Sequence, residues 1–491
     1  MPITKKSAKK TAGKQKPSAQ EPATPEATVD TATPQAAGQR DFKVRIRMYR
    51  KWLGDCFLLT FRNGGEDTHV MIDCGALIGT PDAQQKVQQA VESIAADAGR
   101  LAVLVVTHEH WDHVSGFSDA IDSFKEFSSI DEVWAAWTED PAQTVVKESK
   151  KLRFNAVKSA LGNWSAAASD EDQQRGAAVC GLMDFIAPGG LAAFSEATDE
   201  AMKNALGLGK QRLLNPGDVV DSIPGLRVYV LGPPQDTKAL HRMLGKVGKD
   251  MYGLALSPSQ IAAAEALAAA TASQADPSIP DRYAPFEPYL HWDEAVWAKA
   301  WGELANSYTR DPERKIDRDW LNTAAELALQ LDSYTNNTSL VLAFELTESK
   351  EVLLFVGDAQ VGNWQSWANV KFANSTVTVA DLLAHTIFYK VGHHGSHNAT
   401  LKEGGLEGMT SSKLVAAIPV DEEFARNSKH WDMPAGPLLA ALEEKTAGRI
   451  LRGDSNFPRD SSKPEKLPED EWQQFQQNTN VQEHYIEYFL R

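Results

Sequence analysis

One seven-residue stretch constrains this chain more than any other. Thr107-His108-Glu109-His110-Trp111-Asp112-His113 directly follows the unbroken apolar run Leu101 to Val106. Four of these seven residues, His108, His110, Asp112 and His113, carry groups that bind metal ions. Histidine is otherwise scarce, at 12 in 491 residues. Three histidines so close together, at the end of a buried strand, argue for a built cluster rather than scattered core or surface rings. His108 and His110 leave the same side of the turn towards one ion. Asp112 and His113 then serve a second ion, or one binds metal while the other works on water.

Composition bounds the frame around that loop. The length allows about three domains, although large α/β units can be single. The chain is 42% apolar and 24% charged, ordinary for a soluble protein with a large core. A net charge of −16 argues against broad, nonspecific nucleic-acid binding but leaves room for a local basic groove. Cys56, Cys74 and Cys180 show no C-x-x-C spacing. An odd count without a framework points to small buried side chains and a reducing cytoplasm. No apolar run is long enough for a transmembrane helix, and Met1 to Lys16 lacks the apolar core of a secretory signal.

Residues 1–40 are rich in Lys, Ala, Pro, Thr and Gln and almost lack large apolar side chains, which predicts a disordered tail. Its lysines are a contact for an acidic partner or simply solvated. Residues 41–491 are then one folded unit. Val44, Ile46 and Met48 alternate with Lys43, Arg45 and Arg47, the pattern of a half-buried strand. Gly54 to Phe61 and His69 to Gly75 read as the next strands. Residues 81–98 read as a helix with Val87, Val91 and Ile94 on one face, and Ile130 to Trp137 as a strand. Two Ala-rich, charged stretches, at about 140–210 and 236–330, read as helical insertions that could carry a protein partner. In the second, Trp297 and Trp301 share a helix face.

Two later strands repeat the logic of the first. Val352 to Val356 runs into Gly357-Asp358, and a carboxylate at a strand's end can bridge two ions at about 2.0–2.2 Å from each. Thr386 to Val391 runs into Gly392-His393-His394-Gly395-Ser396-His397. Lys390 and Ser396, beside these histidines, can contact a phosphate oxygen.

The H-x-H-x-D-H loop with Gly116 behind it, the opening Gly54-Asp55-Cys56-Phe57-Leu58-Leu59 and the segment Ile72-Asp73-Cys74-Gly75 resemble the metallo-β-lactamase superfamily. Asn336-Asn337-Thr338-Ser339-Leu340-Val341, Leu353-Leu354-Phe355-Val356-Gly357-Asp358 and His393-His394-Gly395-Ser396 resemble more narrowly the hydrolase domain of ComEC-type competence proteins and their soluble relatives. The resemblance covers roughly 42–137, 211–234 and 334–455. It implies an αββα sandwich and a metal-dependent hydrolase that uses a metal-activated water.

The implied metal ligands are His108, His110, Asp112, His113, Asp358 and one of His393 or His394. We favour His394 as the ligand and His393 as the group facing substrate, with Asp112 also holding the nucleophilic water. Asp73 orients the ligand loop or caps a turn. His430, in Lys429-His430-Trp431, is a substrate contact, an alternative ligand or a surface ring. Many relatives place another histidine where this chain has Val230-Leu231-Gly232-Pro233-Pro234, so the ion on His108 and His110 is the less secure. The donor set suits Zn²⁺ or Mn²⁺, one or two ions per chain. The H-H-G-S segment favours phosphodiesters, DNA or nucleotide-like, over lactones, thioesters or amides on the same metal core. A metal-binding scaffold subunit is the remaining alternative.

Overall fold

The structure is a computed structural model of the full chain and describes residues 41–143, 146, 194–240, 242, 299, 302, 332–429 and 431–491. The tail 1–40, most of both predicted insertions, Cys180 and His430 lie outside the described residues.

Apolar runs bounded by turns supply the strands, and the described strands segregate into two sheets. The first holds β1 (Val44–Tyr49), β2 (Cys56–Asn63), β3 (Glu66–Cys74), β4 (Leu101–Val105), β5 (Ile130–Ala136), β6 (Lys210–Leu214), and, from the end of the sequence, β14 (Thr479–Val481) and β15 (Tyr485–Leu490). Their order is β14-β15-β1-β2-β3-β4-β5-β6. The second sheet holds β7 (Val219–Val220), β8 (Leu226–Gly232), β9 (Val341–Leu346), β10 (Val352–Phe355), β11 (Thr386–Lys390), β12 (Val415–Ile418) and β13 (Ile450–Arg452). Its order is β13-β12-β11-β10-β9-β8-β7. Strands β3 to β6 are mutually parallel, as are β10 to β13.

The sheets pack through one apolar layer. Val44, Ile46, Phe57, Leu59, Ile72 and Val105 of the first sheet share a core with Val228, Phe344, Phe355, Phe388 and Ala417 of the second. The Phe57 and Phe355 rings meet edge to face across it at 5.5 Å. Each outer face is covered by helices. Val87, Val91 and Ile94 of the helix Ala83–Ala98 pack on Leu58, Met71 and Leu104, and Ala201 and Ala205 of Phe194–Leu206 join them. Trp364, Leu382, Leu438 and Leu442 cover the second sheet. The result is the predicted four-layer, metallo-β-lactamase-type αββα sandwich. Phe194–Leu206 and β6, both touched by the predicted first insertion, belong to these layers.

The strand β1 departs from expectation, being buried on both faces. It is an inner strand, antiparallel to β2 and β15. Arg45 and Arg47 are buried because Asp97 and Glu487 neutralise them: Arg45 Nη2 lies 2.5 Å from Asp97 and Arg47 Nη2 lies 2.9 Å from Glu487. No helix among the described residues is long and apolar enough to cross a membrane.

Candidate metal centre

The carboxyl ends of parallel strands from both sheets meet at one edge of the sandwich, where α/β folds place ligands. Strand β3 carries Asp73 just before its last residue, β4 leads into 107–113, β10 into Asp358, and β11 into His393 and His394. Asp55 enters from the turn before β2. His108, His110, Asp112, His113, Asp358 and His394 are all fully buried. Close backbone approach makes this possible. A Cβ on Gly75 would stand 2.4 Å from the Asp112 carbonyl carbon, and Gly357 takes φ 54° with Thr107 and Ser339 against it.

Hydrogen bonds fix how three of the rings face. The Thr107 hydroxyl donates to Asp73 Oδ2 at 2.7 Å. Its single proton is therefore spent, and it accepts from His108 Nδ1 at 3.1 Å. His113 Nδ1 donates to Asp73 Oδ2 at 2.8 Å, and His394 Nδ1 donates to the Pro419 carbonyl at 2.7 Å. Each ring has its Nδ1 proton held from outside, which turns Nε2 towards the centre as the ligating nitrogen. Asp73 also accepts from the Thr107 backbone N–H at 2.8 Å. It adopts φ 54° to do so, a conformation uncommon outside glycine. Of its two sequence readings, this geometry matches loop orientation.

The Nε2 atoms face carboxylates. His394 Nε2 lies 2.7 Å from Asp112 Oδ2, and His113 Nε2 lies 3.6 Å from the same oxygen. His113 Nε2 and Asp358 Oδ2 are 3.1 Å apart, yet neither makes a geometrically sound hydrogen bond among the described residues. The same holds for His108 Nε2 and Asp112 Oδ1. Buried polar atoms left in this state are unusual, and a shared cation would satisfy them together.

Asp55, His113, Asp358 and His394 form a buried group whose ligand atoms lie within 4.8 Å of one another. Asp55 approaches His113 and His394 at Nδ1, at 3.7 and 3.9 Å, on the side already bonded to Asp73 and Pro419. It therefore stands behind the rings. Its partner is Lys390, whose ammonium pairs with Asp55 and also reaches Asp358 Oδ1 at 3.0 Å and the Gly357 carbonyl at 2.7 Å. All three ammonium donors are taken and the side chain is buried. Lys390 thus ties the two sheets' carboxylates together, instead of the substrate phosphate contact expected from sequence.

His393 and His394 adopt φ 42° and 51°. The turn lets the His393 backbone N–H donate to Asp358 Oδ1 at 2.8 Å. His393 Nδ1 lies 3.2 Å from the Gln360 amide nitrogen and 2.8 Å from Ser396 Oγ. Asn398 donates to Gln360 Oε1 at 2.8 Å, which turns the Gln360 amide nitrogen towards His393. Ser396 is buried and bonded to His393 and Asn398, so it orients this ring; it too is not the exposed phosphate contact expected. His430, the third predicted substrate contact, is outside the described residues.

Electrostatics divides the centre. Burial, with His113 and His110 alongside, holds His108 well below the usual imidazole range. Burial pushes His110 down to about 3 and His393 to about 4. Burial would also lower His113, but Asp358, Asp55, Asp112 and Asp73 outweigh it and hold the ring well above its usual value. Burial would lower His394 as well, but the hydrogen bond that its Nε2 gives to Asp112 raises it. Burial raises Asp55 despite Lys390, whereas His113 and Lys390 overcome burial at Asp358 and hold it well below the carboxylate range.

The donor set fits a divalent ion: neutral His108 and His110 nitrogens, His113 and His394 with their outer protons anchored, and Asp112 and Asp358 between them. Asp55 and Asp332 were not foreseen as site residues. Asp55 stood in the quoted Gly-Asp segment, a usable signal. Asp332 lies in the helical stretch described over 332–337, where no motif in the sequence marks it.

Comparison with known proteins agrees on the class. The family model of the metallo-beta-lactamase superfamily matches residues 49–176, which include β2 to β5 and the whole 107–113 loop. A search of curated proteins finds no match.

Proposed function

We propose that this protein is a metal-dependent hydrolase of phosphodiesters, with DNA or a nucleotide-like ester as substrate. The superfamily match and the buried Asp/His cluster support the hydrolase part. The phosphodiester part rests on the H-H-G-S turn. In that turn, one histidine belongs to the cluster and its neighbour, His393, is a buried ring kept neutral by burial.

His108, His110, Asp112, His113, Asp358 and His394 would hold Zn²⁺ or Mn²⁺. When bound, such ions lower the pKa of water towards about 7 and offset charge on the attacked group. The remaining roles belong to the chain. Asp112 Oδ1, free of other hydrogen bonds among the described residues, orients the attacking water. His393, kept neutral by burial, hydrogen-bonds the leaving oxygen from its Nε2–H tautomer. Gln360, Ser396 and Asn398 hold that ring in place, and Asp73 and Lys390 keep the ligands in register.

Purified protein supplied with Zn²⁺ or Mn²⁺ should cleave bis(p-nitrophenyl) phosphate, and Asp112→Ala should abolish this without unfolding the chain. Turnover of a lactone but of no phosphodiester, with either metal, refutes the substrate class.

A further inference from the structure

Among the described residues, the side of the centre formed by His108 and His110 presents two histidines, and the place where a third is usual is closed. Strand β8 ends at Gly232, where an added Cβ would stand 2.1 Å from Asn363 Oδ1. Asn363 is fixed there by donating to the Asn337 and Ser339 carbonyls at 3.1 and 2.9 Å. A ligand for this side has to arrive from another segment.

Asp332 arrives there. Its carboxylate is 98% buried (2% exposed). Oδ2 accepts from Asn336 Nδ2 at 3.0 Å, while Oδ1 makes no hydrogen bond among the described residues. Oδ1 lies 3.9 Å from His110 Nε2. That is too long for a hydrogen bond. It lies about half an ångström beyond the ~3.4 Å that separates two tetrahedral ligands of one zinc ion. The ring of His108 stands 4.7 Å from that of His110, and its Nε2 has no hydrogen bond among the described residues. A carboxylate buried beside neutral rings and further carboxylates is unfavourable without a cation to pair with it.

We propose that Asp332 is a metal ligand, completing with His108 and His110 a first divalent-cation position on the ring side. This rests on the metal-hydrolase reading above. The second position is then served by Asp112, His113 and His394, with Asp358 between the two. Asn336 orients Asp332 as Asp73 orients His113.

The test is zinc binding by the full-length protein, stripped of metal and titrated with zinc chloride under competition from a chromogenic chelator. The wild type should bind two ions. Asp332→Asn should weaken one of them by more than the ~10–100-fold lost with an outer supporting contact, leaving the other unchanged. Asp332→His should restore the second ion. Two ions of unchanged affinity in Asp332→Asn, or a single ion in the wild type, overturn the assignment while the hydrolase reading stands. A folded wild type that takes up no ion overturns both. If Asp332→Asn does not fold, zinc-edge anomalous diffraction from wild-type crystals decides. A peak bonded to Asp332, His108 and His110 supports the assignment, and a peak there without Asp332 refutes it.

Discussion

Around Asp358 the centre has a ring side and a carboxylate side, built from different materials. On the ring side, His108 and His110 are neutral through burial, and Asp332 is the carboxylate beside them. On the other side, Asp55, Asp112 and Asp358 surround His113 and His394, and Lys390 joins Asp55 to Asp358. Here carboxylates and cations satisfy one another within the chain. The difference teaches how each side keeps its shape. The carboxylate side is held by internal ion pairs, whereas the ring side has few compensating charges among the described residues and, in the assignment proposed above, relies on an ion.

Removing the group common to both sides has the largest expected effect. Asp358→Ala should lose both ions and lower phosphodiester turnover by ~10³-fold or more, beyond the ~10²–10³ attributable to a single stabilising donor. Metal content and steady-state rates check this together. Retention of one ion would show that Asp358 does not serve both sides.

Lys390→Met attacks the internal pairing alone. It leaves Asp55 and Asp358 buried without their cation, which should destabilise the metal-free protein by about 3–5 kcal/mol. Denaturant unfolding measures the loss. Added zinc should recover part of it, since the ion replaces the missing charge. An equal deficit with and without zinc would break the comparison.

A smaller change tests the supports. Asp73→Asn keeps the shape but weakens the acceptor for His113 Nδ1 and the Thr107 hydroxyl. Zinc affinity should fall by ~10–100-fold, with the overall fold intact by circular dichroism. Unchanged affinity would mean that the ligand loop holds itself.

The smallest effect lies outside the centre and separates acid sensitivity of the fold from that of the site. Thr60 Oγ1 accepts from Arg45 Nη2 at 3.0 Å and is hydrogen-bonded to His69 Nδ1 at 3.1 Å. Burial, then Arg45, lowers the His69 pKa. The unfolded ring takes up a proton near pH ~6.5 while the folded ring remains neutral, so the unfolded state binds more protons. Stability is then lost as pH falls below ~6.5, down to the folded pKa. Metal-free His69→Gln should show a shallower decline in melting temperature between pH 7 and pH 5 (on the order of a few degrees). An identical slope in both proteins would place the acid effect elsewhere.

Much of the site was legible because its parts are local. His108 to His113, Gly357-Asp358 and His393-His394 each follow an apolar strand, and strand ends deliver neighbouring side chains to one place. The sandwich was legible for the same reason, through its apolar runs. What could not be read depends on pairing between distant segments. The Lys390–Asp55 pair joins strands of different sheets, and beside two histidines a lysine reads naturally as a phosphate contact. The alternation in β1 resembled a solvent-facing strand because a period of two cannot distinguish water from Asp97 and Glu487. The pairing of β1 with β15 sets residue 44 against residue 490, a register that no local pattern announces. Asp332 was hidden because the recognisable motif begins four residues later, at Asn336, and a lone Asp in the helical stretch described over 332–337 carries no local signal.

The central claim is that the buried Asp/His cluster is a metal centre that hydrolyses phosphodiesters. Titrating zinc or manganese into metal-free protein, while following both bound metal and bis(p-nitrophenyl) phosphate cleavage, tests it most directly. The account predicts no turnover without metal, activity that rises with ion occupancy and then saturates, and no such rise in Asp112→Ala. A folded protein that binds neither metal, or that fills its site and cleaves no phosphodiester, would contradict it.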